Sequence, residues 1–264
     1  MIELLTTFTQ PATPYQRNQH RRALRQAGGD ETLLRETFTS LAAASTTLLI
    51  EEVGTDPKQQ LTALLTQLLE LQRTSDESRP INGDGYQHEW WALVAIIGVW
   101  ADTLEVNAPT LKVSSDQWGP HLGAYLQFAP SWEKHPPTPP DTDDADALID
   151  ALIQTHCEQV ESVVACNRDQ PDVLLNEFVR ATLATEQVVG EQQAGGSDGT
   201  EIALGWEIVT ETLNVYATML DVTEGAPVPT VATFWESRYL KWAVIGAVLV
   251  AASVALQVVF NNWP

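Results

Sequence analysis

Residues 88–106 read HEWWALVAIIGVWADTLEV. Apolar side chains run nearly all round this stretch and charge resumes only at Asp102, which marks a buried central helix rather than a surface one. It is too short and too lopsided to cross a bilayer. Residues 204–222, LGWEIVTETLNVYATMLDV, repeat it at an offset of 116. Trp90, Val99, Ala101, Leu104 and Val106 meet Trp206, Val215, Ala217, Leu220 and Val222. Trp100 meets Tyr216, and Glu105 meets Asp221.

The likeness extends outward. At an offset of 114, Pro57, Leu61 and Leu69 meet Pro171, Leu175 and Leu183. At 115, Leu33, Leu34, Phe38, Leu48 and Leu49 meet Leu148, Ile149, Ile153, Val163 and Val164. Three segments in one order at a nearly constant offset predict a duplicated three-helix unit. The competing reading is that any two amphipathic helices can be registered on their apolar positions, but the Trp and Pro matches go beyond that.

Local signals set the boundaries. Helical spacing of Leu33, Leu34, Phe38, Leu41, Leu48 and Leu49 predicts a helix from Asp30 to Val53, stopped by Gly54. Asp56-Pro57 starts the next, with Asp as cap and Pro in the first turn. Further helices are expected over 88–106, 144–167, 171–192 and 200–222, the last two parted by Gly195-Gly196-Ser197-Asp198-Gly199. Thr46–Ile50 and Thr110–Ser114 hold enough β-branched residues for short extended pieces. The expected fold is all-α: a basic helical segment (1–29), a first unit (30–118), a Pro/Asp-rich linker (119–143), a second unit (144–222), a spacer (223–235) and a membrane anchor (236–264).

The anchor rests on WAVIGAVLVAASVALQVVF, Trp242–Phe260, nineteen residues without a charge. As a helix it is about 28 Å long, against roughly 30 Å of hydrocarbon. Trp235, Tyr239 and Trp242 stand at one boundary and Phe260 and Trp263 at the other, as aromatic belts do. Arg238 and Lys241 flank the N-terminal side only, so the positive-inside rule places the body in the cytoplasm and the C-terminus outside. The first residues, MIELLTTFTQPATP, have neither a basic nor a long apolar region and do not read as a signal peptide. Within the span, which also holds Gly246, Ala243, Ala247, Ala251 and Ala255 recur at i+4 and give a small-residue face suited to self-association.

Asp and Glu number 35 against 14 Lys and Arg, a net charge of −21. Only four of the basic residues are lysines (Lys58, Lys112, Lys134, Lys241). This sparse-Lys, carboxylate-rich composition resembles that of halophilic proteins, whose self-repulsion salt screens. The alternative is a surface that recruits basic partners. Cys157 and Cys166 fall about 13 Å apart along one helix and on opposite faces, too far for a disulfide, and read as buried small residues. His156 beside Cys157 lacks a second His/Cys pair at ligand spacing, so neither metal nor cofactor is expected.

Arg17, Arg21 and Arg25 form an i+4 stripe, with Arg22 beside it, that could meet lipid headgroups or an acidic partner. Nucleic acid is disfavoured, because phosphate contacts weaken steeply with salt and no base-reading motif accompanies the arginines. His88 and Glu89 open the central helix, but His88 lies about 21 Å along it from Asp102, too far to cooperate in acid–base work. Trp90 and Trp91 read as core. No nucleophile elbow, zinc-protease, phosphate-loop or dinucleotide motif is present. The expectation is a non-enzymatic, membrane-tethered helical adaptor that holds a cytoplasmic protein partner, with a groove between its units. The alternatives are an enzyme with a pocket between the units and a regulator acting through the basic N-terminal helix.

Overall fold

A computed structural model of the chain describes residues 31–78, 86–109, 140–141, 144–194 and 200–222, and among these every regular element is an α-helix. In chain order they are α1 Glu31–Val53, α2 Pro57–Ser78, α3 Gln87–Leu104, α4 Ala145–Cys166, α5 Pro171–Ala194 and α6 Thr200–Met219.

The ends fall where the local chemistry puts them. Gly54 takes a left-handed φ of 73° after α1, and its N–H donates to the Ile50 carbonyl at 3.0 Å. The Asp56 carboxylate accepts from the Lys58 N–H at 3.1 Å to start α2. Asp144 does the same for α4, accepting from Asp146 N–H at 3.1 Å. The helices α3 and α6 end alike. Glu105 and Asp221 sit at φ 55° and 54°, and the next N–H reaches back to Ala101 O and Ala217 O respectively, both at 2.9 Å. This is the Schellman closure, here built twice on a non-glycine residue.

The stretch Thr46–Ile50, whose β-branched residues allowed an extended piece, is helical within α1, as the helical spacing over Asp30–Val53 predicts. Burial of one face outweighs β-propensity there, and the Thr46 hydroxyl is satisfied by donating to the Ala42 carbonyl at 2.8 Å. Leu33 also departs from expectation, being 43% exposed in the first turn. Thr110–Ser114 lies outside the described residues.

The six helices share one core. The first helix of each triplet packs on the third, α1 on α3 and α4 on α6; the middle helices α2 and α5 pack on one another, and α2 meets α6 as α5 meets α3. Exchanging the triplets leaves this pairing unchanged. Burial follows the same exchange. At 116, Trp90, Leu93, Ile97, Trp100 and Ala101 are buried with Trp206, Val209, Leu213, Tyr216 and Ala217. At 114, Leu61, Leu64, Leu65 and Leu68 are buried with Leu175, Phe178, Val179 and Thr182. For the first helices burial also fits 114 over their first turns, matching fully buried Phe38 with Leu152 and buried Ala42 with His156. An offset of 115 would set buried Thr46 against exposed Glu161.

Among the described residues no helix is long and apolar enough to cross a membrane. The expected span lies outside them, with Trp242, Gly246, Ala247, Ala251, Ala255 and Phe260 and its boundary residues Trp235, Arg238, Tyr239, Lys241 and Trp263. So do Arg17, Arg21, Arg22 and Arg25.

Candidate functional site

A cleft of about 410 Å³ opens where helices of both triplets meet. Thr32, Arg35 and Thr39 of α1 and Gln87, Trp90, Trp91 and Val94 of α3 form one side; Glu186, Gly190 and Gln193 of α5 and Ile202 of α6 form the other. Its size lies within the range of ligand pockets.

The α1–α3 side is built in tiers from the core outward. Phe38, fully buried, lies under His88 with ring centroids 5.2 Å apart, and His88 meets Trp91 edge-on at 5.2 Å and 77°. The Arg35 guanidinium then lies over the Trp91 ring, 5.9 Å from its centroid, a cation–π contact. The histidine that opens the central helix therefore supports the cleft wall and does not line it. Trp90 and Trp91 are core residues, as expected, and also wall residues: Trp91 is only 7% exposed, yet it borders the cleft.

Charge in the cleft is unmatched. Arg73 and Arg180 pair with Glu70 and Glu177 one turn away on their own helices. Among the described residues Arg35 makes no ion pair. On the α5 wall, burial alone pushes the Glu186 carboxyl above its usual range. Gly190 adds no wall of its own; a Cβ there would meet nothing within 4 Å.

The triplets differ in chemistry along the cleft. By the offsets that align their cores, Arg35 corresponds to Ile149, Trp91 to exposed Glu207, Glu186 to Gln72 and Gly190 to Asp76. Trp90 keeps its counterpart in Trp206, but Trp206 is covered by Tyr86, stacked on it at 5.5 Å and 17°.

The other sequence candidates fall elsewhere. Asp102 and Glu105 are exposed at the end of α3, and Glu89 is half-buried in its first turn. His156 is buried, with its Nε2 2.8 Å from the Thr212 hydroxyl. Cys157 is half-buried; burial, then Glu211, Glu161 and Glu158, push its thiol pKa up, which keeps it protonated and unreactive. Cys166, expected to be buried, is exposed, because α4 turns that face outward in its last turn. Among the described residues no cluster of three His, Cys, Asp or Glu is placed to hold a metal ion.

Sequence reasoning passed over Arg35, Glu186 and Gly190. No local signal in the sequence marks them. No protein-family model, no curated protein and no solved structure matches the chain.

Proposed function

We propose that the protein is a membrane-tethered helical adaptor: an internally duplicated body, held at the cytoplasmic face of a bilayer by a C-terminal span, that binds a protein partner in the cleft between its triplets. The observation that carries this reading is the cleft itself, where Arg35, without an ion pair among the described residues, lies over Trp91. Core positions of the two halves keep matching burial, while Arg35, Trp91, Glu186 and Gly190 differ in chemistry from Ile149, Glu207, Gln72 and Asp76. A position under packing constraint alone has no reason to place an arginine without a carboxylate over a buried tryptophan. Recognition by an exposed cation held on an aromatic wall gives one. The nineteen-residue uncharged run at Trp242–Phe260 supports the tether, and its small-residue face supports self-association within the membrane. The acidic composition supports a salt-rich cytoplasm as the working solvent.

A second reading has one observation in its favour. A desolvated carboxyl in a cleft, as at Glu186, is the kind of group that general acid catalysis uses. It favours a membrane-associated enzyme, though His88 would not be its partner, since His88 lies behind the wall.

The test is purification of the full-length chain from membranes at high salt, beside a version ended after Val222 and an Arg35→Glu variant. The adaptor reading expects a stoichiometric partner with the first two, cross-linked to α1 or α3, and its loss with Arg35→Glu. A partner that stays with the variant sinks the reading at this cleft. Turnover of a small molecule abolished by Glu186→Gln would favour the enzyme.

A further inference from the structure

We infer that α4 is a detachable helix of the body, docked on α6 when salt screens the carboxylates on both sides of their seam and released when it does not.

The attachment of α4 is thin. Among the described helices it packs closely on α6 alone, whereas its counterpart α1 packs on α2 as well as α3. Among its described side chains only Leu152, His156 and Val164 are buried, with Ala151, Ile153 and Val160 partly buried beside them. The helix α1 buries Phe38, Ala42, Thr46, Leu49 and Val53. His156 is polar, and its hydrogen bond to Thr212 is exchanged for water when the helices part, so it adds little to hold them. A helix with few buried apolar contacts opens at a lower free energy than the core around it.

Charge works against it. Neither helix carries a Lys or an Arg, while α4 holds Asp146, Asp150, Glu158 and Glu161 and α6 holds Glu201, Glu207 and Glu211. These charges meet across the seam. Burial, then Glu211 and Asp150, push the Glu207 carboxyl above its usual range, and Glu211 acts likewise, after burial, on the Cys157 thiol of α4. Burial lowers the pKa of His156 to about 4, so at pH 7 the imidazole supplies no cation to the seam. The α1–α3 pair differs, since Arg35 lies over Trp91 where α4 and α6 have Ile149 and Glu207. Packed helices lie about 8–10 Å apart. The screening length is about 10 Å in 0.1 M salt and about 3 Å in 1 M, so repulsion across the seam is felt in the first and lost in the second.

The test is deuterium exchange of the full-length chain in non-ionic detergent micelles at pH 7, read helix by helix by mass spectrometry in about 1 M and about 0.1 M KCl. Protection of the α4 amides should fall at least about tenfold further than that of the α1 amides at the lower salt. Glu207→Gln combined with Glu211→Gln on α6 should remove most of that difference. Glu36→Gln combined with Glu51→Gln makes the same change in net charge on α1 and should leave it in place. All four side chains are exposed or half-buried, so both variants should keep their helical circular dichroism, recorded beside the exchange. Equal loss of protection in all six helices would show the body loosening as a whole and overturns the inference. So does α4 protection that ignores salt, or a response that survives the α6 variant or is removed equally by the α1 variant.

Discussion

The imidazole of His156 on α4 lies 2.8 Å through Nε2 from the hydroxyl of Thr212 on α6, both side chains buried. The matching positions of α1 and α3 carry Ala42 and Ile96, equally buried and wholly apolar. Thr212 Oγ1 also donates to the Ile208 carbonyl at 2.8 Å. Its one proton is committed there, so it accepts from the imidazole, which is neutral with the proton on Nε2.

Burial lowers the pKa of His156 to about 4. Unfolded, the ring takes up its proton near pH 6.5. Between those values the unfolded chain binds more protons than the folded one, so stability falls as pH falls. The contribution is complete above about pH 6.5 and declines towards pH 4, by about 3 kcal/mol in all. Urea unfolding at pH 7 and pH 4.5, followed by circular dichroism, measures it. A His156→Leu variant should lose most of that slope; an unchanged slope would show that the imidazole does not carry it.

Glu186 acts in the opposite sense. Its folded pKa is raised by burial, so above the ordinary glutamate range the folded state holds a proton that the unfolded chain has released. Stability from this residue is greatest at low pH and is lost as pH rises through the folded pKa. Glu186→Gln should therefore raise the melting temperature at pH 7 and leave it unchanged near pH 4. A loss of stability at pH 7 would mean that the carboxylate has a partner in solution.

The sequence carried the helices and the core much further than the cleft. Alternating signals such as Gly54, Asp56-Pro57 and Pro171 are local, so a helix end can be read from a few neighbours. The Trp90/Trp206 match pointed to core positions because burial repeats with the helix period. Register within α1 and α4 was harder. An adjacent apolar pair such as Leu33-Leu34 leaves neighbouring offsets hard to tell apart, and burial of Phe38 with Leu152 and of Ala42 with His156 separates them over the first turns. Arg35, Trp91 and Glu186 come from three helices spread over 152 positions of the chain. Nothing local to any of them says that they share a space.

Gly205 marks a close approach of α6 to Val189 and Trp90. A Cβ there would stand 2.6 Å from Val189 Cγ2 and 3.1 Å from the Trp90 ring. Gly205→Ala should destabilise by about 1–3 kcal/mol through overpacking, despite the better helix propensity of alanine. Adding Val189→Ala removes the closest atom and should return part of that loss in chemical denaturation. Gly190→Ala, whose Cβ meets nothing, serves as the control and should be neutral or slightly stabilising. Equal effects at the two glycines would argue against the close packing of α5, α6 and Trp90.

The two Schellman caps allow a quantitative check of the likeness between triplets. Glu105 and Asp221 hold φ values of 55° and 54°, a region where a side chain costs about 1–2 kcal/mol and glycine costs little. Each closes the same bond, from Val106 N–H to Ala101 O and from Val222 N–H to Ala217 O. Glu105→Gly and Asp221→Gly should therefore each stabilise the body, by a similar amount of about 1 kcal/mol at most, since glycine also gains freedom in the unfolded chain. Both carboxylates lie at helix C-termini, where the dipole disfavours negative charge, so Glu105→Gln and Asp221→Asn should recover a smaller share by removing charge alone. Stabilisation at one cap and destabilisation at the other would mean that the two ends carry different strain, and that their shared geometry does not reflect a shared role in closing the third helix of each triplet.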